Sequence, residues 1–337
     1  MENKLYSKQE VIDLINKGHI MLLSGSDNAL KGLPKGKWIA GTTPYFMDGT
    51  GKVDEENIFV DDFTSIAKNA KVATYDTTNI HEIAKNGFAN GFIVMTIPID
   101  TEIYFQFSTN SLEYDDVLNN PLVGYVACCN FEDYGNFGKL KTFVASGSDA
   151  QLLSDKAVAL YVELPDDLSA RAEIINLDTI DSSTKKVVFP KTSFFQSDCL
   201  IDGKPGNIAD YFENYVKPRM GGKGYTQLIT SQNGALINRD PKVVDVEKGT
   251  ASFFSPVYAD DEYYLVKAGI DYLKLFNDAL SAKGDTQIAA CFSCISYFFG
   301  GEFNGRTICK NGVYAFGEIG YQLLNKTLVT LEIDKVK

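Results

Sequence analysis

Histidine and paired cysteine motifs, on which much of metal and nucleophile chemistry depends, are scarce in this chain. The 337 residues include two histidines, His19 and His81, and the six cysteines contain one CxxC pair. A structural zinc site needs four ligands, usually two such pairs or one pair with histidines. Neither histidine lies near a cysteine in sequence, so no cysteine–histidine catalytic pair is indicated. We therefore expect no metal and no other cofactor.

Basic residues are also in short supply. Lys and Arg number 32 against 44 Asp and Glu, which gives a net charge of −12 and a pI near 4.7. Proteins that bind nucleic acid gather Lys and Arg to displace the counterions of the phosphates. The densest basic pair here is Lys185–Lys186. The composition predicts that nucleic acid is not a partner.

Long apolar runs are missing as well. A membrane-spanning helix needs roughly 18 to 20 apolar residues, whereas the longest runs, such as 93–97, have the length of a strand. The chain begins Met1-Glu2-Asn3-Lys4 and continues with polar, helix-forming residues rather than a secretory apolar segment. Six cysteines in a chain of this length are too few for a disulfide framework. We expect no membrane partner, reduced thiols and a cytoplasmic location.

The chain does contain ample material for a folded core. Hydrophobic residues make up 45%, including 22 Phe and 18 Tyr. A length of 337 residues suits two domains of roughly 150 residues each. Short β-branched segments alternate with helical patterns, which is typical of α/β layering. We predict a mixed α/β fold with two mixed β-sheet subdomains flanked by helices, formed by residues 1–190 and 191–337.

Two local motifs carry structural predictions. Ser7-x-x-Glu10 predicts a capping box at the start of a helix, because the two side chains satisfy each other's backbone N–H groups. Cys291 and Cys294 lie three residues apart in a strand-like run, so their side chains should point to opposite faces. That placement favours buried thiols over a shared metal or a redox dithiol.

A four-residue motif occurs twice in the chain. The segment Ser24-Gly25-Ser26-Asp27 recurs as Ser146-Gly147-Ser148-Asp149, each time directly after an apolar run. Either a duplication or the general preference of strand-end turns for Ser, Gly and Asp explains it.

The segment Gly317-Glu318-Ile319-Gly320 is unusual for a strand. A carboxylate buried in a strand is costly unless it is hydrogen-bonded or bound to a ligand. Glycines weaken a strand and suggest that another group approaches its backbone closely. The run Trp38-x-x-Gly41-Thr42-Thr43 has a related pattern of an apolar strand interrupted by glycine and hydroxyls. A ligand pocket and internal packing both account for these patterns.

These segments resemble the FIST family of sensory domains. The resemblance in the second half lies in Phe292-Ser293-Cys294, Tyr314-Ala315-Phe316-Gly317-Glu318-Ile319 and Asn325-x-Thr327, in that order. Ile39-Ala40-Gly41-Thr42-Thr43 is similar to a strand-end turn of the family's N-terminal half. The chain departs from the family at Ser296-Tyr297, where an arginine is usual. By this resemblance, residues 1–190 are FIST-N-like and residues 191–337 are FIST-C-like.

The resemblance implies a non-catalytic sensory protein that binds small ligands, amino acids or other small polar metabolites among them. Its signalling output would pass through a separate protein. We expect a pocket where the two halves meet, formed by Glu318, Asn325, Thr327, Thr42, Thr43, Tyr314, Trp38 and Cys294. Glu318 would accept hydrogen bonds from the ligand, Asn325 and Thr327 would orient it, and the aromatic residues would form apolar walls.

Two alternatives remain open from the sequence. The first is an enzyme with Cys294 as nucleophile and Glu318 as base or acid. The second is a protein-interaction scaffold, which is suggested by the shortage of recognisable chemistry. The residues favour binding over catalysis, and no catalytic residue is assigned.

Overall fold

A computed structural model describes residues 3–131, 141–222, 224–232 and 234–336. The chain forms two compact units. Unit 1 comprises Met1–Ile175, Tyr272–Leu323 and Leu328–Lys337, and unit 2 comprises Asn176–Asp271 and Leu324–Thr327. The predicted mixed α/β class is confirmed. The units do not follow the predicted division at residue 190, because unit 1 takes its strands from both ends of the chain.

The helices are short. They are α1 Lys8–Asn16, α2 Asp27–Leu30, α3 Glu102–Asn110, α4 Ile208–Tyr211, α5 Lys217–Arg219, α6 Tyr272–Ser281 and α7 Ile295–Gly300. A π-helical turn, Phe212–Val216, joins α4 to α5, and two 3₁₀ turns lie at Ile80–Glu82 and Ser111–Glu113. The predicted capping box is confirmed, since Ser7 and Glu10 bond reciprocally at the start of α1.

Unit 1 is built mainly of strands. They are β1 Lys4–Tyr6, β2 Ile20–Gly25, β3 Lys37–Thr42, β4 Tyr45–Asp48, β5 Thr50–Val53, β6 Ile58–Asp62, β7 Asn69–Tyr75, β8 Gly91–Pro98, β9 Leu122–Ala127, β10 Val144–Ser146, β11 Gln151–Leu153, β12 Ala157–Glu163, β13 Leu168–Ile175, β24 Gln287–Cys294, β25 Gly312–Ala315, β26 Glu318–Gly320, β27 Gln322–Leu324 and β28 Leu328–Lys335.

Unit 2 holds the intervening strands. They are β14 Ile180–Asp181, β15 Val187–Val188, β16 Ser193–Gln196, β17 Asp198–Ile201, β18 Lys204–Asn207, β19 Leu228–Gln232, β20 Ala235–Arg239, β21 Pro241–Asp245, β22 Thr250–Val257 and β23 Glu262–Val266. One sheet has the order β18-β17-β15-β23-β19-β20, with β14 beside β23, and a smaller sheet has the order β16-β22-β21. Aromatic side chains including Phe189, Phe212 and Phe253 pack into one core cluster.

The strands of unit 1 form three six-stranded sheets of the same design. Sheet I has the order β1-β6-β2-β3-β10-β11, sheet II β7-β12-β8-β9-β26-β27, and sheet III β13-β28-β24-β25-β4-β5. The two central strands of each sheet are parallel and are connected through a helix: α2 in sheet I, α3 in sheet II and α7 in sheet III. Antiparallel strands flank each central pair.

The three sheets exchange strands in a closed cycle. After β3 the chain leaves sheet I, and β4 pairs with β25 of sheet III. After β25 it leaves sheet III, and β26 pairs with β9 of sheet II. After β9 it leaves sheet II, and β10 pairs with β3 of sheet I. The three departures, which we call the crossovers, follow residues 42, 315 and 127.

Hydrogen bonds join the crossovers to one another. The N–H of Cys128 donates to the carbonyl of Thr42 at 2.6 Å, and the N–H of Val126 donates to that of Gly317 at 2.9 Å. The hydroxyl of Thr43 donates to the carbonyl of Tyr314 at 2.6 Å. Each crossover is therefore bonded to a neighbouring one at the ends of the central strands.

The central strands have the sequence expected of strands covered on both faces. Every residue of β2, β8 and β9 is buried, and their sequences are almost continuously apolar. Gly124 in β9 shows how closely two of them approach. Its φ is +149°, and a Cβ atom there would lie 1.8 Å from the carbonyl oxygen of Met95. Glycine is required at this position because β8 occupies the space of a side chain.

Candidate functional site

A cleft of about 740 Å³ opens in unit 1 at the carboxyl ends of β2 and β3. The crossover that follows β9 forms its other side. Ligands of α/β proteins commonly bind beyond the carboxyl ends of parallel strands, where the chain connections diverge. The lining residues are Lys8, Ser26, Asp27, Asn28, Ala29, Thr42, Thr43, Pro44, Glu55, Glu56, Cys128, Cys129, Asn130 and Lys141.

The first wall is the start of helix α2. Ser26 caps this helix, because its hydroxyl oxygen accepts from the N–H of Ala29 at 3.1 Å. The same hydroxyl donates to the carbonyl of Glu55 at 2.6 Å. The cap thus fixes the loop before β6 against the end of β2, and it leaves Asp27 in the first turn of α2 at the cleft.

The second wall is the segment after β9. The amide of Asn130 donates to the carboxylate of Glu55 at 2.8 Å. Its oxygen accepts from the hydroxyl of Tyr45 at 3.3 Å, and that hydroxyl accepts from the N–H of Phe131 at 2.7 Å. Burial raises the pKa of Tyr45 to about 12. Glu55 therefore contacts both walls, through its carbonyl on one side and its carboxylate on the other.

The floor of the cleft is made of buried polar groups from two crossovers. Thr42 accepts the N–H of Phe143 on its hydroxyl oxygen at 3.0 Å, and Thr43 accepts the N–H of Tyr45 at 3.2 Å. Burial raises the pKa of the Cys128 thiol well above its ordinary value. Cys129 beside it is partly exposed. The floor supplies neutral hydroxyl and thiol groups rather than charge.

The structure brings two of the predicted site residues, Thr42 and Thr43, into this cleft. Four others are buried in unit 1 but do not line it. Trp38 packs in a core cluster, and its indole N–H donates to the carbonyl of Pro34 at 2.9 Å. Cys294 is the last residue of β24, and Tyr314 lies one residue before the end of β25, both in sheet III. Glu318 is the first residue of β26 and has no exposed surface.

The remaining two predicted residues, Asn325 and Thr327, belong to unit 2. Asn325 accepts the hydroxyl of Ser255, also in unit 2, and both Asn325 and Thr327 are buried. The run of motifs from β24 to residue 327 is therefore contiguous in sequence but divided between the units. The prediction that Glu318 is a buried acid in a strand is confirmed. Its predicted contact with a ligand stays a prediction.

Most of the residues that line the cleft have no signal in the sequence that marked them as site residues. Ser26 and Asp27 lie in the Ser-Gly-Ser-Asp motif, so a sign of their position was present. The polar residues Asn130 and Glu55 lie in loops of no recognisable motif. They meet because of the strand exchange between sheets I and II, which a single sequence does not reveal.

Two buried tyrosines of unit 1 allow a direct test of how hydrogen bonding contributes to its core. The hydroxyl of Tyr125 donates to the carbonyl of Gly41 and also bonds Ser24, both at 2.7 Å. The hydroxyl of Tyr314 is buried and has no hydrogen-bond partner among the described residues. The two phenols are equally buried but differ in hydrogen bonding.

Replacing Tyr125 with phenylalanine is expected to lower the free energy of unfolding by about 1–3 kcal/mol, since it leaves buried groups without a partner. Tyr314→Phe is expected to leave it unchanged or to raise it by up to about 1 kcal/mol, since it removes an unsatisfied hydroxyl. Urea unfolding of the two variants gives the comparison. A larger loss for Tyr314→Phe than for Tyr125→Phe would contradict this account of the core.

The prediction that Cys291 and Cys294 are buried thiols in a strand is confirmed. Burial raises the pKa of the Cys291 thiol. Among the residues that the structure describes, no group of three or more His, Cys, Asp or Glu side chains is arranged to hold a metal ion. In the same part of the chain, no helix combines the length and the apolarity needed to cross a bilayer.

The model of the family of unknown function DUF6976 matches residues 6–334, which is nearly the whole chain. The chain therefore belongs to the DUF6976 family. A search of curated proteins gave no match.

Proposed function

We propose that this protein binds a small polar ligand in the cleft of unit 1 and does not act as a catalyst. The observation that carries the proposal is the cleft itself: about 740 Å³ at the carboxyl ends of β2 and β3, lined largely by polar side chains. Its volume is within the range of small-molecule sites. Its walls are fixed by hydrogen bonds through Ser26, Glu55 and Asn130, as a preformed site requires.

The proposed role is sensory. The resemblance of the β3 end and of the segments around Glu318 to FIST domains supports it, with amino acids and other small polar metabolites as ligands. We place the protein in the cytoplasm, and we assign the response to a separate signalling protein. Burial of Thr42 and Thr43 at the cleft supports the part of the site that the resemblance suggested.

The thiols give little support to a cysteine-dependent enzyme. A nucleophilic cysteine needs access to substrate and a lowered thiol pKa. Cys294 is 4% exposed and does not line the cleft, and the pKa of Cys128 is raised rather than lowered. Neither Cys294 nor Cys128 therefore supports the alternative of a cysteine-dependent enzyme.

Filling the cleft with an indole ring tests the location of binding. Asn28 lies on α2, is exposed and lines the cleft, so Asn28→Trp is expected to block it. The measurement is the melting temperature against a library of amino acids, amines and other small polar metabolites, since a ligand of the native state raises it. We expect at least one compound to stabilise the natural protein and not Asn28→Trp.

The matched control is Lys31→Trp, which adds the same ring to the exposed end of the same helix, outside the cleft. It should retain the stabilisation by ligand. If no compound stabilises the natural protein, or if both tryptophan variants respond as it does, the proposed function is wrong.

A further inference from the structure

Several hydrogen-bond donors of the cleft are bonded to other groups of the protein, whereas a carboxylate of the lining can still accept. The hydroxyls of Ser26 and Thr43 donate to carbonyl oxygens of the protein, and so does the ammonium of Lys8. The amide of Asn130 donates to Glu55. A carboxylate has about four lone-pair positions, so Glu55 can accept further hydrogen bonds. Glu55 therefore favours a ligand that carries hydrogen-bond donors.

The charges at the cleft point in the same direction. Among the described residues of the lining, Asp27, Glu55 and Glu56 supply three carboxylates, against the ammonium groups of Lys8 and Lys141. The ammonium of Lys8 donates to two carbonyl oxygens at helix α2, so part of its hydrogen-bonding capacity is used while its charge remains. Opposite charges attract more strongly near a protein surface than in bulk water, and the carboxylates favour a cationic group.

An aromatic rim adjoins the second wall. Phe131 follows Asn130, and its ring centroid lies 4.8 Å from that of Phe299. The two side chains are 45% and 44% exposed, which is unusual for phenylalanine. Tyr45, whose hydroxyl bonds Asn130, lies 5.5 Å from Phe299 and connects this pair to the wall of the cleft. Exposed aromatic faces bind other rings by stacking and attract cations.

We propose that the ligand of this cleft is a small aromatic amine. Its protonated amine would be bound by the carboxylates of Glu55, Glu56 and Asp27, and its ring would pack on Phe131 and Phe299. The inference rests on the proposed function of the cleft and adds the chemical class of the ligand.

Three compounds that share one ring and differ in charge test it. They are 2-phenylethylamine, which is a cation at neutral pH, 2-phenylethanol, which is neutral, and phenylacetate, which is an anion. Titration calorimetry on the full chain measures their affinities. We expect the amine to bind, and the alcohol and the anion to bind at least about tenfold more weakly, since a charged hydrogen bond is worth about 1.5–3 kcal/mol. Added salt should weaken the binding of the amine and not that of the other two compounds.

Two variants locate the contacts. The double change Glu55→Gln and Glu56→Gln removes both charges but keeps an oxygen that can accept from Asn130. It should lower the affinity for the amine about threefold to tenfold. Phe299→Leu should weaken it by a similar factor. The controls are Glu113→Gln, an exposed acid elsewhere in unit 1, and Phe195→Leu, an exposed phenylalanine of unit 2. Both should bind as the natural protein does, and melting temperatures verify that all variants are folded.

The outcomes separate this inference from the proposed function. Suppose that a neutral or anionic compound of the wider library stabilises the natural protein but not Asn28→Trp, and that no amine does so. The proposed class of ligand is then wrong, while the proposed function stands. Equal affinity for the three phenyl compounds, or no effect of the glutamate changes on amine binding, also overturns the class. If no compound binds at all, both proposals fail together.

Discussion

Replacing Gly124 with alanine is expected to leave little or no folded protein. The added Cβ would lie 1.8 Å from the carbonyl oxygen of Met95 and 2.9 Å from its carbonyl carbon. Both are backbone atoms of β8, so no side-chain rotation relieves the overlap. The φ of +149° adds a second penalty for any residue with a Cβ. The loss of unfolding free energy should exceed about 4 kcal/mol, which is rare for one substitution.

The measurement is the yield of soluble protein and its circular dichroism, followed by urea unfolding of any folded fraction. Gly300→Ala is the matched control, because a Cβ at Gly300 meets no atom within 4 Å and its φ is not positive. This variant should change the free energy of unfolding by less than about 1 kcal/mol. A stable Gly124→Ala protein would show that β8 and β9 lie further apart than the structure has them.

Replacing Lys326 with methionine is expected to destabilise unit 2 by about 3 kcal/mol. Lys326 is 8% exposed, and its ammonium lies 3.6 Å from the carboxylate of Asp178, which has no exposed surface. Asp178 also accepts from the amides of Gln227 and Asn238, at 2.7 and 3.0 Å. Removing one partner of a buried ion pair leaves an uncompensated charge and costs about 3–5 kcal/mol.

The same substitution should change the dependence of stability on pH. Burial raises the pKa of Asp240 from 3.8 to about 6, Lys326 lowers it, and Asp178 raises it. A raised pKa means that the folded state binds this proton more tightly than the unfolded chain. The stabilisation by that proton is present below pH 4 and is lost as the pH rises to about 6. Without Lys326 the pKa should rise further, and the loss should continue to higher pH.

Urea unfolding between pH 4 and pH 8 measures both effects. Lys248→Met removes an exposed ion pair with Asp245 in the same unit and is the control. It should cost no more than about 1 kcal/mol and should leave the pH dependence unchanged. Equal losses for the two lysine variants would contradict the importance of the buried pair.

The local elements of this fold were predictable where one segment contained the whole signal. The capping box at Ser7 and the buried strands 20–25 and 91–98 depend on residues close together in sequence. The division into units was not predictable in this way. Unit 2 is inserted between β13 and α6, and β24 to β28 return to unit 1, so the boundary depends on pairing between distant strands.

The candidate site was predictable only in part, for the same reason. Thr42 and Thr43 end a strand with a visible Gly-Thr-Thr pattern, and they line the cleft. Trp38 was predicted as a wall from the same segment, but strand alternation points it into a core cluster. Glu55 and Asn130 are ordinary polar loop residues, and their meeting requires the chain to pass from sheet II to sheet I. No pattern within either loop indicates that meeting.

The cyclic exchange of strands also bears on how the chain folds during synthesis. Strand β4 is made early, yet its neighbour β25 lies near the far end of the sequence, with Tyr45 opposite Tyr314. Until the ribosome has released β25, sheet III has no central pair, and β4 and β5 form an isolated hairpin with unpaired edges. Such edges invite aggregation, and contacts between distant residues form slowly. Sheet III can therefore form only late in synthesis, after β25 has emerged.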